Sequence, residues 1–179
     1  MRCKQLLYVL LLVSSATACA SPKVGYDFNP GTNFSAYHTY AWMSDKQEAT
    51  GDKRLDNSLV DTRIRTTIGS QLLAKGYTVQ AGRSPDFYVA YHVGVHDMMK
   101  ETTAQNYIGD HAYGTFTTVR DVQPYKEGTL LIDIIDAVSQ KVVWQASALA
   151  EVDPGMTPEE RDARIGGVVG AMFAHFPPK

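Results

Sequence analysis

Apolar residues recur at helical spacing in the first half of the chain. They fall every four residues, at Val60, Ile64, Ile68 and Leu72. This stripe predicts an amphipathic helix with one buried face. Ser58 and Asp61 have the spacing of a capping box, so we expect the helix to begin at Ser58. Gly76 is expected to end it in a left-handed conformation.

A second amphipathic helix is predicted near the carboxyl terminus. Thr157 and Glu160 match a capping box, and Pro158 suits the first helical turn. The apolar stripe consists of Ile165, Val169, Met172 and Phe176, widened by Val168 and Phe173. Gly166, Gly167 and Gly170 lower helix propensity. We expect them to let the helix lie close against a sheet.

Period-two alternation predicts strands between and around the helices. Residues 86–96 give the clearest one, with one face formed by Phe87, Val89, Tyr91, Val93 and Val95. Residues 24–29 and 37–43 are expected to pair as the first two strands. Further strands are expected at 115–123, 128–136 and 141–152. The polar residues 98–114 are interpreted as a long loop.

Strands in succession with short links favour antiparallel pairing, and two amphipathic helices must bury their stripes. The order of elements therefore predicts an α+β two-layer sandwich. Its sheet is expected to be largely antiparallel, with both helices packed on one face. Residues 26–179 are expected to form this single domain.

The amino terminus has the pattern of a secretory signal. Arg2 and Lys4 precede an apolar run at residues 6–13, and small residues follow. Eight apolar residues rise only about 12 Å as a helix, against about 30 Å of hydrocarbon, so the run is too short for a stable span. Two cleavages fit: an ordinary signal peptidase site, or a lipobox in which residues 16–18 precede Cys19.

The cysteines favour the lipobox. Only Cys3 and Cys19 are present, and Cys3 lies inside the signal. An exported chain with one remaining cysteine has no internal disulfide partner, whereas acylation explains Cys19. We therefore expect residues 1–18 to be removed and 19–25 to form a lipidated tether. Ala20 and Ser21 favour a Gram-negative outer membrane, with the domain facing the periplasm.

Charge and composition reduce the classes of partner that are expected. Removing Arg2 and Lys4 with the signal changes the formal net charge from −2 to −4. A mildly acidic domain without a run of basic residues argues against a nucleic-acid partner. The remaining partners expected are the membrane, through the lipid anchor, and an envelope protein.

Four segments carry a family resemblance: residues 26–42, 72–77, 86–95 and 125–148. Together they resemble the DUF4136 family of bacterial envelope lipoproteins over nearly all of the mature chain. The most specific part is the late hairpin, with Gly128, Asp133, Asp136 and Trp144. The resemblance implies a periplasm-facing lipoprotein domain with no established activity, and it brings no catalytic residues.

Candidate metal ligands and acids are spaced unfavourably. His92 and His96 share a predicted strand face, but four residues along a strand span about 13 Å, too far for one zinc ion. We expect no metal and no other cofactor. Asp133 and Asp136 should point to opposite faces, so they do not form a carboxylate pair. Asp136 is expected to cap a hairpin turn, and Asp133 to face solvent or join a cross-strand network.

Motifs for catalysis are equally weak. The sequence has no G-x-S-x-G, and the glycine-rich residues 166–170 lie inside a predicted helix, where they cannot cradle phosphate. Trp42 and Trp144 are interpreted as packing residues rather than a sugar platform. The sequence thus favours a non-enzymatic envelope binding or structural module. The alternative is a periplasmic enzyme or small-ligand binder that uses Tyr107, His111 and Tyr113 in the predicted loop.

Overall fold

The computed structural model describes residues 22–45, 49–53, 55–80, 84–108, 115–153 and 155–178. Two helices, six strands and a short 3-10 turn lie within these ranges. The strands are β1 (Lys23–Phe28), β2 (Thr39–Trp42), β3 (Thr78–Val79), β4 (Phe87–Ile108), β5 (Thr115–Asp136) and β6 (Val142–Glu151). The helices are α1 (Ser58–Ala74) and α2 (Pro158–Phe173). The α+β class is as predicted.

The six strands form one mixed sheet in the order β1-β6-β5-β4-β2-β3. β2 runs parallel to β3 and β4, and all other neighbours are antiparallel. β2 and β3 are parallel because the connection through α1 returns the chain to the end of the sheet at which β2 began. β4 then runs in the same direction on the other side of β2.

The expected pairing of the first two strands is wrong. β1 lies beside β6, and β2 lies on the other side of β5 and β4. The connection between them does not reverse tightly, because its Phe34 and Tyr37 are buried in the core. Phe34 packs edge-on against Phe176, so the connection crosses the domain below the end of α2.

The prediction of a loop at residues 98–114 is wrong for residues 98–108, the part of this range that the structure describes. β4 continues to Ile108, and the strands predicted at 115–123 and 128–136 are one strand, β5. The two strands pair without a break from Phe87 opposite Asp136 to Ile108 opposite Thr115. No described element covers either face of this extension, so its sequence lacks the alternation that marks a half-buried strand.

Both helix starts involve side-chain caps. Asn57 caps α1, because its Oδ1 accepts hydrogen bonds from the backbone N–H groups of Leu59 and Val60, each at 3.1 Å. The predicted Ser58 cap is therefore one residue late. Gly76 has φ 91°, which confirms the left-handed end of α1. The capping box of Thr157 and Glu160 is confirmed in α2.

The predicted apolar stripes of both helices join one core cluster with the sheet, although Val60 and Ile165 are only partly buried and Phe176 lies beyond the end of α2. We call the sheet face that bears Phe87, Val89 and Tyr91 the core face, and the opposite one the open face. The core face continues through Leu130, Ile132, Ile134, Trp144, Ala146 and Ala148.

The expectation for the glycines of α2 is wrong at two positions. A Cβ added at Gly166 or Gly167 would meet no atom within 4 Å, so neither glycine is needed for close packing. At Gly170 the nearest atom would be Nε2 of Gln71 on α1, at 3.8 Å, rather than an atom of the sheet.

Candidate functional site

The residues predicted to carry function lie at or beyond the edges of the described structure. Cys19, His111 and Tyr113 lie outside the described residues. Tyr107 is part of β4, where its backbone pairs with Phe116, the second residue of β5. The structure thus places Tyr107 near the tip of a long hairpin.

That hairpin forms a two-stranded ribbon, which we define as Asp97–Ile108 and Thr115–Lys126. β6 stops accompanying β5 at the pair Glu127 and Glu151, so within the described chain the two ribbon strands pair only with each other. Twelve residue pairs at about 3.4 Å per residue give a length of about 40 Å. Each strand has one edge of backbone N–H and C=O groups that no described strand pairs.

Apolar side chains are exposed along the ribbon. Met99 is 77% exposed and Phe116 68%, and they are accompanied by Met98, Ile108, Val119 and Val122. Charges of both signs lie among them: Lys126 donates to Asp97, and Arg120 lies 3.5 Å from Glu101. A two-stranded ribbon is marginally stable alone in water, so this element can gain stability from a partner.

A cavity of about 410 Å³ opens between the helices and the core face, near the base of the ribbon. The following three strand segments form its floor: Val93 and Val95 of β4, Gly128 and Leu130 of β5, Ala148 and Ala150 of β6. Val60 and Ile64 of α1 and Ile165 and Val168 of α2 form the opposite wall. The small floor residues leave space that larger side chains would fill.

Gly128 is tightly fitted in this floor. A Cβ there would lie 2.9 Å from Cγ2 of Val152, which is closer than real contacts allow. The glycine therefore lets the chain after β6 approach the sheet beside the cavity.

Arginines surround the mouth of the cavity. Arg63 forms an ion pair with Asp162 at 2.6 Å. Arg164 donates from Nη1 to the backbone oxygen of Glu151 at 3.4 Å, and it forms no ion pair with any residue in the described ranges. Arg161 also lines the cavity.

A polar cluster occupies the open face of the sheet. Asp133, only 7% exposed, accepts a hydrogen bond from Nε2 of Gln145 at 2.6 Å. Nε2 of His92 lies 3.8 Å from its other oxygen. The interpretation of Asp133 as part of a cross-strand network is confirmed. The cluster is a set of satisfied structural contacts between three neighbouring strands.

Asp136 has the capping role that the sequence predicted. Its Oδ1 accepts from the backbone N–H of Ser139 at 2.7 Å, and its Oδ2 accepts from the hydroxyl of Tyr37 at 2.8 Å. These hydrogen bonds, the Ser139 N–H first, lower the pKa of Asp136. Burial, aided by the bond to Asp136, raises the pKa of Tyr37.

The sequence did not predict a second cluster, which joins α1 to the sheet. The Arg65 guanidinium lies 4.6 Å from the ring centre of Trp42 and forms an ion pair with Asp61 at 2.7 Å. The hydroxyl of Tyr91 donates to the same carboxylate. Burial, followed by the bond to Asp61, raises the pKa of Tyr91. The i,i+4 spacing of Asp61 and Arg65 was the one available signal.

No metal site is evident among the described residues, since they contain no group of three or more His, Cys, Asp or Glu side chains placed to share an ion. The histidines of β4 follow the predicted geometry, four residues apart on one strand. Across the same residues, neither helix is long and apolar enough to cross a membrane.

Comparison with solved structures gives likeness of fold alone. A PDZ domain protein from Parabacteroides distasonis is 15% identical with a TM-score of 0.52, over 89% of this chain and 37% of that one. The chain thus spans little more than a third of that relative's length. The PelC dodecamer from Paraburkholderia phytofirmans is 10% identical with a TM-score of 0.48, over 86% of this chain and 95% of that one.

A third structure is a neuraminyllactose-binding hemagglutinin homologue from Helicobacter pylori. It is 12% identical with a TM-score of 0.44, over 80% of this chain and 87% of that one. None of the curated proteins compared with the chain matches it. The family model described as a domain of unknown function, DUF4136, matches residues 24–178, so this chain belongs to the DUF4136 family.

Proposed function

We propose that the protein is a lipid-anchored, non-enzymatic module of a Gram-negative outer membrane that binds another envelope protein through its ribbon. The observation that carries this proposal is the ribbon itself. It offers two strand edges that no described strand pairs, and exposed apolar side chains at Met99, Phe116 and Val122. An extended segment of a partner can add to such an edge through main-chain hydrogen bonds, while side chains supply specificity.

A protein partner suits the ribbon better than the interior of a bilayer. Unpaired strand edges are costly in hydrocarbon, where water cannot satisfy the backbone groups. The ion pairs Asp97–Lys126 and Glu101–Arg120 would add a further cost there. In a protein interface the edges find backbone partners, and a mixture of apolar and charged groups is common.

The proposed anchor restricts where the ribbon can reach. β1 begins at Lys23 opposite Leu149, at the end of the sheet from which the ribbon projects. Cys19 precedes Lys23 by four residues, which reach about 14 Å at most. A ribbon of about 40 Å cannot point straight at a bilayer so close, so it extends along the membrane surface, where it meets other envelope proteins.

The two-layer arrangement belongs to the same proposal. Arg63 of α1 pairs with Asp162 of α2, and Gln71 lies beside Gly170, so the helices run side by side in the same direction. Their buried residues share one cluster with the core face. We therefore describe the domain as a helical layer over one face of the sheet, with the ribbon as a projecting arm.

The anchor is tested by fractionation and intact mass. Wild-type protein should sediment with membranes and carry a diacylglycerol and an acyl chain at its amino terminus, and Cys19→Ala should move the protein to the soluble periplasm. An unmodified amino terminus in the wild type would show that the lipobox interpretation is wrong.

The role of the ribbon is tested by shortening it without disturbing the sheet. Deleting residues 98–125 and joining Asp97 to Lys126 through Asn-Gly keeps the register, because these two residues already face each other. The variant should keep its melting temperature and its membrane location but lose proteins that copurify after crosslinking in the native envelope. Copurification that survives the deletion would contradict the proposal.

A further inference from the structure

We infer that the cavity between the helices and the core face is a binding site for a single-chain anionic amphiphile, a long-chain carboxylate. The apolar chain occupies the cavity and the carboxylate lies at Arg164. The existence of the cavity follows from its lining residues. The assignment of an acyl chain as its ligand rests on the proposed lipid anchor.

The interior of the cavity suits the apolar chain of the ligand. Its floor and opposite wall are built from aliphatic side chains, alanines and a glycine. A volume of about 410 Å³ lies at the lower end of the range of about 300–1,000 Å³ for ligand pockets. Its modest volume favours one chain over a two-chain phospholipid.

The mouth of the cavity suits the carboxylate of the ligand. Arg63 is neutralised by Asp162, whereas Arg164 donates a hydrogen bond to the backbone oxygen of Glu151 and has no carboxylate partner among the described residues. The guanidinium therefore keeps donors for a ligand carboxylate, which it can bind with two parallel hydrogen bonds.

The acidic residues of the lining, Glu151 and Asp153, form no ion pair with Arg164 in the described structure. Asp153 accepts a hydrogen bond from the backbone N–H of Gly155. Glu151 follows Ala150 in β6, and since Ala150 belongs to the core face, the carboxylate of Glu151 points toward the open face.

The position of the cavity suggests the source of the chain. Val24 of β1 pairs with Ala148, which is part of the cavity floor. An anchor at Cys19 would therefore hold the mouth within a few residues' reach of the bilayer surface. Fatty acids partition into that surface, which brings them to the cavity at high local concentration.

The test uses the full Cys19→Ala chain purified without detergent and titrated with tetradecanoate by calorimetry. We expect saturable one-to-one binding and a raised melting temperature. Ala150→Phe fills the cavity and should abolish binding. Arg164→Gln should weaken it about 10- to 100-fold, the value of a hydrogen bond to a charged group. Tetradecanol should bind about as weakly to the wild-type site as tetradecanoate binds to Arg164→Gln.

Matched controls come from the ribbon. Ala104→Phe and Arg120→Gln change the same residue types at exposed positions and should leave binding unchanged. Arg164→Gln is also the check on Ala150→Phe, in case the larger side chain disturbs folding. If Cys19 is not acylated, wild-type protein can also be purified without detergent and titrated in the same way. The binding experiment therefore gives a result even if the proposed lipid anchor is wrong.

Any one of the following results would overturn the inference. The first is the absence of saturable binding. The second is binding that survives Ala150→Phe in a folded variant, or equal affinity for tetradecanoate and tetradecanol. The third is tighter binding to phosphatidylglycerol vesicles than to tetradecanoate, which would remove the single-chain assignment.

Discussion

Replacing Ile68 by alanine tests the packing of α1 on the sheet. The Ile68 side chain is 0% exposed and belongs to the core cluster. The change removes three carbon atoms, worth about 2.4 kcal/mol at about 0.8 kcal/mol each. The sheet on one side and α2 on the other limit collapse, so a cavity penalty adds to this loss. We expect about 3–4 kcal/mol of lost unfolding free energy, and a similar loss for Ile64→Ala.

Thermal and urea unfolding, followed by circular dichroism, measure this loss. For a domain of this size the melting temperature should fall by about 6–16 °C, since 1 kcal/mol corresponds to about 2–4 °C. Leu73→Ala is the matched control, because Leu73 lies on the same helix but is 66% exposed. It should cost less than about 0.5 kcal/mol. Equal losses for Ile68 and Leu73, or no loss for Ile68, would refute the orientation of the helix.

Two further predictions concern pH and metal. Asp86 accepts hydrogen bonds from the backbone N–H groups of His38 and Thr39, and these lower its pKa in the folded state. A lowered pKa stabilises the fold above the ordinary value near 4, and this stabilisation disappears as pH falls through the folded pKa. Asp86→Ala should therefore lower the melting temperature more at pH 7 than at acidic pH, and a difference that stays constant as the pH falls would contradict the assignment. Chelator should leave the melting temperature unchanged, whereas stoichiometric zinc whose removal lowers it would refute the prediction that the domain needs no metal.

The helices were predictable because their signals are local. The four-residue stripe of α1 and the capping box of α2 each lie within one segment, and both are present in the structure. The Asn57 cap was missed by one residue, since Asn57 and Ser58 are both good capping residues. The alternation in residues 86–96 likewise identified the core face of β4 correctly.

Non-local features were not predictable in the same way. Nothing in β2 alone shows that it pairs in parallel with β4, because that pairing depends on the path of α1. Neither face of the ribbon is buried by the part of the chain that the structure describes, so its sequence resembles that of a polar loop. The cavity depends on small residues of β5 and β6 meeting under both helices, and of these only Ala148 and Ala150 lie at alternate positions of one segment in the sequence.

The most direct test of the proposed function is photocrosslinking from the ribbon in living cells. A photoreactive residue at Val122 probes the exposed apolar surface of β5, and the same residue at Val138, which is 93% exposed in the turn before β6, is the control. The account predicts a discrete adduct with another envelope protein from Val122 and none from Val138. No adduct from Val122, or the same adduct from both positions, would contradict the claim that the ribbon binds a protein partner.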